Sequence, residues 1–213
     1  MIYVTGDTHG DYSRLSRFSL RKLRKGDTLF IAGDFGFLFD GSKKEQRILR
    51  RLGNRKYNIF FLDGLNENFA LLNAYAETEY AGGKVRVIHK NLRYAVRGEA
   101  YSIIGTTVFT FGGGGSDTAE TPQDGALPSA EDFERAASTL ERINNQADYI
   151  ITHEPPGKLA DFLNRQGKVP LVNAGLDKVA EECAFTRWFF GSLHMDKVVS
   201  PKYTAVYKKI IHL

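Results

Sequence analysis

The chain has 213 residues, 42% apolar and 25% charged, which is the balance of a soluble globular protein with one sizeable core. No apolar run approaches the ~20 residues that cross a bilayer and the opening MIYVTGD has no signal-peptide layout, so a membrane partner is excluded and a cytoplasmic location expected. The lone Cys183 excludes an internal disulfide and fits a reducing compartment, while a formal charge of +4 leaves the choice of partners open.

In chain order, the first apolar run, IYVTGD, precedes a predicted helix near Tyr12–Leu23, with Leu15 and Phe18 spaced for one buried face. TLFIAGD precedes a helix near Lys43–Leu52 that turns Ile48, Leu49 and Leu52 inward, and YNIFFLDG precedes Asn68–Tyr75. Strands alternating with helices imply right-handed crossovers and covered sheet faces. The stretch KVRVIHKNLRYAVRGEAYSIIGTTVFTFGGGG is β-branched and aromatic with short turns at RGEA and IGT, which predicts meandering antiparallel strands. GGGGSDTAETPQDGALPSAED reads as a long surface loop; no Gly-Lys-Ser/Thr follows Gly112–Ser116, so a phosphate-binding P-loop is rejected and a lid or hinge expected. A helix near Ala130–Asn144, a buried strand DYIITHEPP, helices near Gly157–Gln166 and Asn173–Cys183, the strand FTRWFFGSLH and closing strands in YTAVYKKIIHL complete the chain. Neither a repeat nor a linker divides it, so residues 1–213 are expected to form a single domain.

Charge is unevenly placed. Residues 1–60 hold 13 Lys/Arg against 6 Asp/Glu, a net of +7, so the remainder carries −3. Arg14, Arg17, Arg21, Lys22, Arg24 and Lys25 crowd the first predicted helix, and Lys43, Lys44, Arg47, Arg50 and Arg51 crowd the second. Solvated helix faces are the commoner reading of such clusters; an anion-attracting surface for nucleic acid is the alternative partner reading.

The most informative pattern is where potential metal ligands fall. Five apolar runs each end in one: Asp7 and His9, Asp34, Asn66, His153, and His194. In α/β sheets, ligands bind beyond the carboxyl ends of strands. Asp7 and His9 are two apart, a spacing that sends both side chains to the same side of an extended segment while Thr8 points away. A carboxylate and an imidazole aimed at one point suit borderline divalent metals, and two oxygens let Asp34 bridge two ions. His89 and His212 do not join this set.

GDTHGD at Gly6–Asp11, GDFG at Gly33–Gly36, DGLNENF at Asp63–Phe69, THEPP at Thr152–Pro156 and FGSLH at Phe190–His194 together resemble the calcineurin-like metallophosphoesterases. The resemblance implies a four-layer α/β/β/α sandwich of two mixed sheets, with a two-metal site that hydrolyses phosphate mono- or diesters, nucleotides among them. It implies Asp7, His9 and His194 as ligands of one ion, Asp34 as a bridge, and His153 as a ligand of the second. The metal expected is Mn²⁺, with Fe, Zn or Ni also suited. Two departures stand out. Ser192 occupies the place of the first His in the family's Gly-His-x-His, and the Asn-His pair of its Gly-Asn-His-Glu falls on Leu65 and Asn66. The resemblance therefore carries catalytic positions to Asn66 and His153, with Asn66 standing at the family's acid; a one-residue shift instead lets the Asn66 amide coordinate, with Glu67 at the acid position. Either register implies a weakened hydrolase, or a scaffold that binds metal and phosphate or nucleotide without turnover.

Overall fold

The structure is a computed structural model that describes residues 1–16, 18–115, 124–163 and 171–213, with backbone alone at Phe18 and Ser19. Its elements in chain order are β1 (Ile2–Thr5), α1 (Tyr12–Leu15), α2 (Phe18–Arg21), β2 (Thr28–Ile31), α3 (Lys43–Gly53), β3 (Asn58–Phe61), α4 (Phe69–Asn73), β4 (Glu77–Tyr80), β5 (Gly83–His89) and β6 (Leu92–Ala95). They continue with β7 (Glu99–Ile103), β8 (Thr106–Phe111), α5 (Ala130–Arg142), β9 (Gln146–Thr152), α6 (Gly157–Phe162), α7 (Leu171–Glu182), β10 (Ala184–Phe190), β11 (Lys197–Val198), β12 (Tyr203–Ala205) and β13 (Ile211–His212).

Two mixed sheets result, ordered β13-β1-β2-β3-β6-β5-β4 and β11-β12-β10-β9-β8-β7. Within the first, β1, β2, β3 and β6 run parallel. Within the second, β8, β9, β10 and β12 do. Period-two alternation distributes side chains among three apolar layers. Leu29, Ile31, Ile59 and Phe61 face Leu15, Leu49, Leu52 and Leu72 of the helices on one side. Phe30, Phe60, Val4 and Val85 meet Tyr101, Val108, Ile151 and Phe189 between the sheets. Phe109, Phe111, Ile150 and Trp188 pack on Ala136 and Leu140 of α5 and on Val172, Leu176 and Val179 of α7. The order of layers is helix, sheet, sheet, helix, as the resemblance implied.

Several local expectations are corrected. The helix expected over Tyr12–Leu23 is two short pieces, because Ser16 caps α1 and its Oγ bonds the Ser13 carbonyl at 3.1 Å, competing with helix continuation. Arg17 and the side chain of Phe18, expected on a buried face, lie outside the described residues. The expected antiparallel meander is split: β5–β6 and β7–β8 are antiparallel pairs, but the RGEA turn carries the chain from one sheet to the other. The closing strands also divide, β12 joining the second sheet and β13 the first. Residues 116–123 and 164–170, which include parts of the expected surface loop and of the helix expected near Gly157–Gln166, are not described.

The glycine run has a packing reason where it is described. A Cβ on Gly112 would collide with the Asp63 carboxylate, and Gly113 donates to the Asp63 carbonyl at 3.0 Å. The run lets β8 leave its sheet flush against the end of β3.

Candidate metal centre

Each of five strands delivers its polar residue just past its carboxyl end: Asp7 after β1, Asp34 after β2, Asn66 after β3, His153 after β9 and His194 after β10. One donor atom each from Asp7, His9, Asp34 and His194 lies within 4.8 Å of all the others. Such spacing approaches the ~4 Å separation of donors that share an ion at ~2.1 Å. His9 Nε2 and His194 Nε2 stand 2.9 Å apart, with the rings edge-to-face. His194 Nε2 is 3.0 Å from Asp7 Oδ2, and His9 Nδ1 is 3.7 Å from Asp34 Oδ2.

The backbone is held out of its ordinary region to make this convergence. His9, Asp34 and His194 have φ of +48°, +36° and +49°, the left-handed region that non-glycine residues seldom occupy. Such strain persists where surrounding structure over-determines it, and it concentrates at ligand sites. Here the Asp34 carbonyl accepts the amides of Thr8 at 3.1 Å and His9 at 2.8 Å, locking the two strand-end loops together. The segment from Asp7 to His9 is not the extended one expected from its spacing, since it lies past β1 and His9 is left-handed; the Thr8 hydroxyl bonds the Phe35 carbonyl at 2.8 Å.

Electrostatics at the centre point the same way. Asp7 is fully buried, and the nearest ion-pair partners of its carboxylate oxygens are imidazoles: His194 Nε2 at 3.0 Å from Oδ2 and His153 Nδ1 at 3.6 Å from Oδ1. Burial alone would raise its pKa, but the charges of His153 and His194 overcome it and hold Asp7 well below the usual carboxylate range. Burial alone would likewise lower His153, yet Asp7, then Asp34 and Glu154, push it up to about 10. His194 is raised mainly by its contact with Asp7. A buried carboxylate held between imidazoles is a mixed oxygen and nitrogen donor set that a divalent ion fits.

His153 lies behind this group of four. Its Nδ1 is 3.6 Å from Asp7 Oδ1 and 3.3 Å from the Ala32 carbonyl, and the ring is buried. Gly64 makes room: a Cβ there would strike Asp34 Oδ1 and come within 2.7 Å of His153 Nε2.

The turn after β3 is oriented by Asp34. The Leu65 and Asn66 amides donate to Asp34 Oδ1 at 2.8 and 3.0 Å, and Asn66 Nδ2 donates to Asp34 Oδ2 at 2.8 Å. Leu65 turns its side chain to the helical-side core. Asn66 is thus the residue of the turn whose side-chain amide reaches the Asp34 carboxylate. Glu67 is buried and accepts the Gly36 amide at 3.1 Å, so it holds the loop after β2 rather than facing open solvent. Burial and the nearby Asp34 raise its pKa well above the ordinary value. Ser192 points to a carboxylate: its Oγ donates to Glu154 Oε2 at 2.9 Å.

Sequence reasoning missed three contributors. Arg14, assigned to a basic surface, is buried and donates to the carbonyls of Asp7 and Tyr207. Glu154 was not singled out, although it follows His153 directly. Arg97 forms a buried pair with Asp63, the residue that opens the β3 turn, and Tyr94 completes the carboxylate at 2.9 Å. No spacing rule links these residues, since each acts across the fold.

Among solved structures, one titled "The Crystal Structure of the Protein of Unknown Function AQ665 from Aquifex aeolicus" is similar at 17% identity, over 87% of this chain and 88% of that chain, with a TM-score of 0.39. No curated protein matches the chain. The family described as calcineurin-like phosphoesterase matches residues 1–196, which contain every strand-end residue of the centre. The chain belongs to the calcineurin-like phosphoesterase family.

Proposed function

We propose that this protein is a metal-dependent phosphoesterase that cleaves a phosphate mono- or diester, weakened by an incomplete second metal site. The observation that carries the reading is the convergence of Asp7, His9, Asp34 and His194 on one point. These four would hold one divalent ion, Mn²⁺ foremost, with Asp34 as the bridge to a second ion for which His153 would be a donor. A bound divalent ion supplies Lewis acidity to phosphate oxygens and lowers the pKa of water.

The chain's own groups then set the reaction's limits. Asn66, at the mouth of the centre, carries an amide that can donate a hydrogen bond but has no titratable proton to give a leaving group. Leu65 is committed to the core and Ser192 to Glu154, so neither offers an imidazole. Loss of a general acid costs roughly 10²–10⁴-fold. Substrates whose leaving group departs unprotonated, such as aryl esters, are therefore favoured over alkyl esters. The reading takes residues 1–213 as one working domain in a reducing cytoplasm, in keeping with the buried free thiol of Cys183.

The test is turnover of p-nitrophenyl phosphate and bis-p-nitrophenyl phosphate with Mn²⁺ added. Hydrolysis that requires metal and disappears in Asp34→Ala is the expected result. A second reading, a metal and phosphate or nucleotide binder without turnover, is favoured by the commitments of Leu65 and Ser192. Tight Mn²⁺ binding with no hydrolysis of either ester selects it.

A further inference from the structure

The residues matched by the family end at 196, yet the segment after them reaches back into the metal centre. His194 is the most exposed of the four converging donors, its side chain 49% accessible, on a left-handed residue. Its own loop gives it one backbone bond, from its amide to the Gly191 carbonyl at 3.3 Å. Two further residues, one in the same loop and one in the tail, supply the rest. Asp196, two residues on, accepts the amides of Tyr207 at 2.8 Å, Lys208 at 3.0 Å and Lys209 at 3.1 Å. The Tyr207 ring lies 5.0 Å from the His194 ring, tilted by 35°.

Tyr207 is itself anchored to the strand that supplies Asp7. Its carbonyl accepts the Gly6 amide at 3.0 Å and the Thr5 hydroxyl at 3.1 Å. The buried Arg14 bridges both partners, donating to the carbonyls of Asp7 and Tyr207 while its guanidinium sits 4.9 Å from the centre of the Tyr207 ring. One contact chain therefore runs from the backbone of Asp7 through Arg14 and Tyr207 to the ring of His194. Asp196 closes it by tying the His194 loop to the same tail.

We infer that Asp196 and Tyr207 are positioning residues: they clasp the tail over the His194 loop and aim that imidazole at the ion shared with Asp7, His9 and Asp34. The inference rests on the metal-site reading above and adds to it the part played by residues 207–209. Groups that orient a ligating imidazole commonly govern metal affinity by roughly 10–100-fold. Four hydrogen bonds from three successive amides specify the loop's seat, and the Tyr207 ring limits the rotations open to His194.

The test is Mn²⁺ titration calorimetry on the full chain, together with the electron paramagnetic resonance spectrum of bound Mn²⁺, whose splitting reports its ligand set. Tyr207→Leu keeps the backbone bonds and removes the ring; Asp196→Ala removes the anchor, and Asp196→Asn keeps one acceptor oxygen. The expected result is a ~10–100-fold loss of affinity and an altered spectrum in Tyr207→Leu and Asp196→Ala, with partial recovery in Asp196→Asn. If Asp196→Ala does not fold, Tyr207→Leu decides. Folded variants with wild-type affinity and spectrum would overturn the clasp, and a large loss in His194→Ala alongside would leave the metal site standing. A wild-type protein that takes up no Mn²⁺ overturns both.

Discussion

Asp7 shows how a single residue reports on a site. Burying a carboxylate is costly unless a partner charge offsets it, and here the imidazoles of His153 and His194 stand against Asp7. His153 is held up to about 10, above the ordinary ~6.5, so its proton stabilises the metal-free fold fully below pH ~6.5 and that contribution is lost as pH rises through about 10. A divalent ion must displace such protons. Metal binding at neutral pH should therefore release protons, and apparent affinity should rise with pH. Calorimetry in two buffers of different ionisation heat checks this; identical heats would contradict it. At this scale the Asp7–His9 pair was legible from its residue types at a strand end; the extended geometry expected for it was not met, since the segment lies past β1 and His9 turns into the left-handed region at φ +48°. The roles of Leu65 and Asn66 were not, because three bonds to Asp34 from another strand orient that turn. Nor was Arg14, whose carbonyl partners lie at β1 and in the tail.

The elements that carry the site are the ones that announced themselves. β1, β2, β3, β9 and β10 are short, apolar and buried at their carboxyl ends, so each read as a strand with a candidate ligand beyond its end. β4, with the sequence ETEY and mostly exposed, escaped notice because its charged, exposed residues show no apolar alternation, although Glu77 pairs with Arg86 across the ladder at 2.9 Å and Arg93 lies over the Tyr80 ring. The division of the β5–β8 stretch between two sheets was equally hidden, since local pattern shows that strands form but not which sheet receives them. The end of β3 depends on the Asp63–Arg97 pair, in which Arg97 also ties down the carbonyls of Gly125, Ala126 and Leu127. Removing one member leaves a buried charge, so Arg97→Ala should destabilise the fold by about 3–5 kcal/mol. Removing both charges together should cost less. Denaturant midpoints of the single and double variants measure this, and a single variant within error of wild type would refute it.

Across the whole molecule, two sheets bring residues from positions 7 to 194 to one end. The four-layer order was legible only through the ordered set of five motifs. The charge reading needs amending: Arg14 leaves the basic surface for the interior, while Lys43, Lys44, Arg47, Arg50 and Arg51 of α3 remain exposed. α3 is followed by β3, parallel to β2, so the start of the helix lies toward the ligand-bearing strand ends. An anionic substrate should therefore be steered inward, with kcat/KM falling as salt rises past the ~10 Å screening length of 0.1 M. Charge reversal at Lys43 and Lys44 should lower kcat/KM and its salt dependence while kcat stays constant. A salt-independent kcat/KM would remove the steering role.

One measurement addresses the shared cation most directly: anomalous scattering from crystals soaked in MnCl₂, collected at the manganese edge. A peak within bonding distance of Asp7, His9, Asp34 and His194 is the predicted result. An empty centre, with these four side chains turned away from one another, would contradict it.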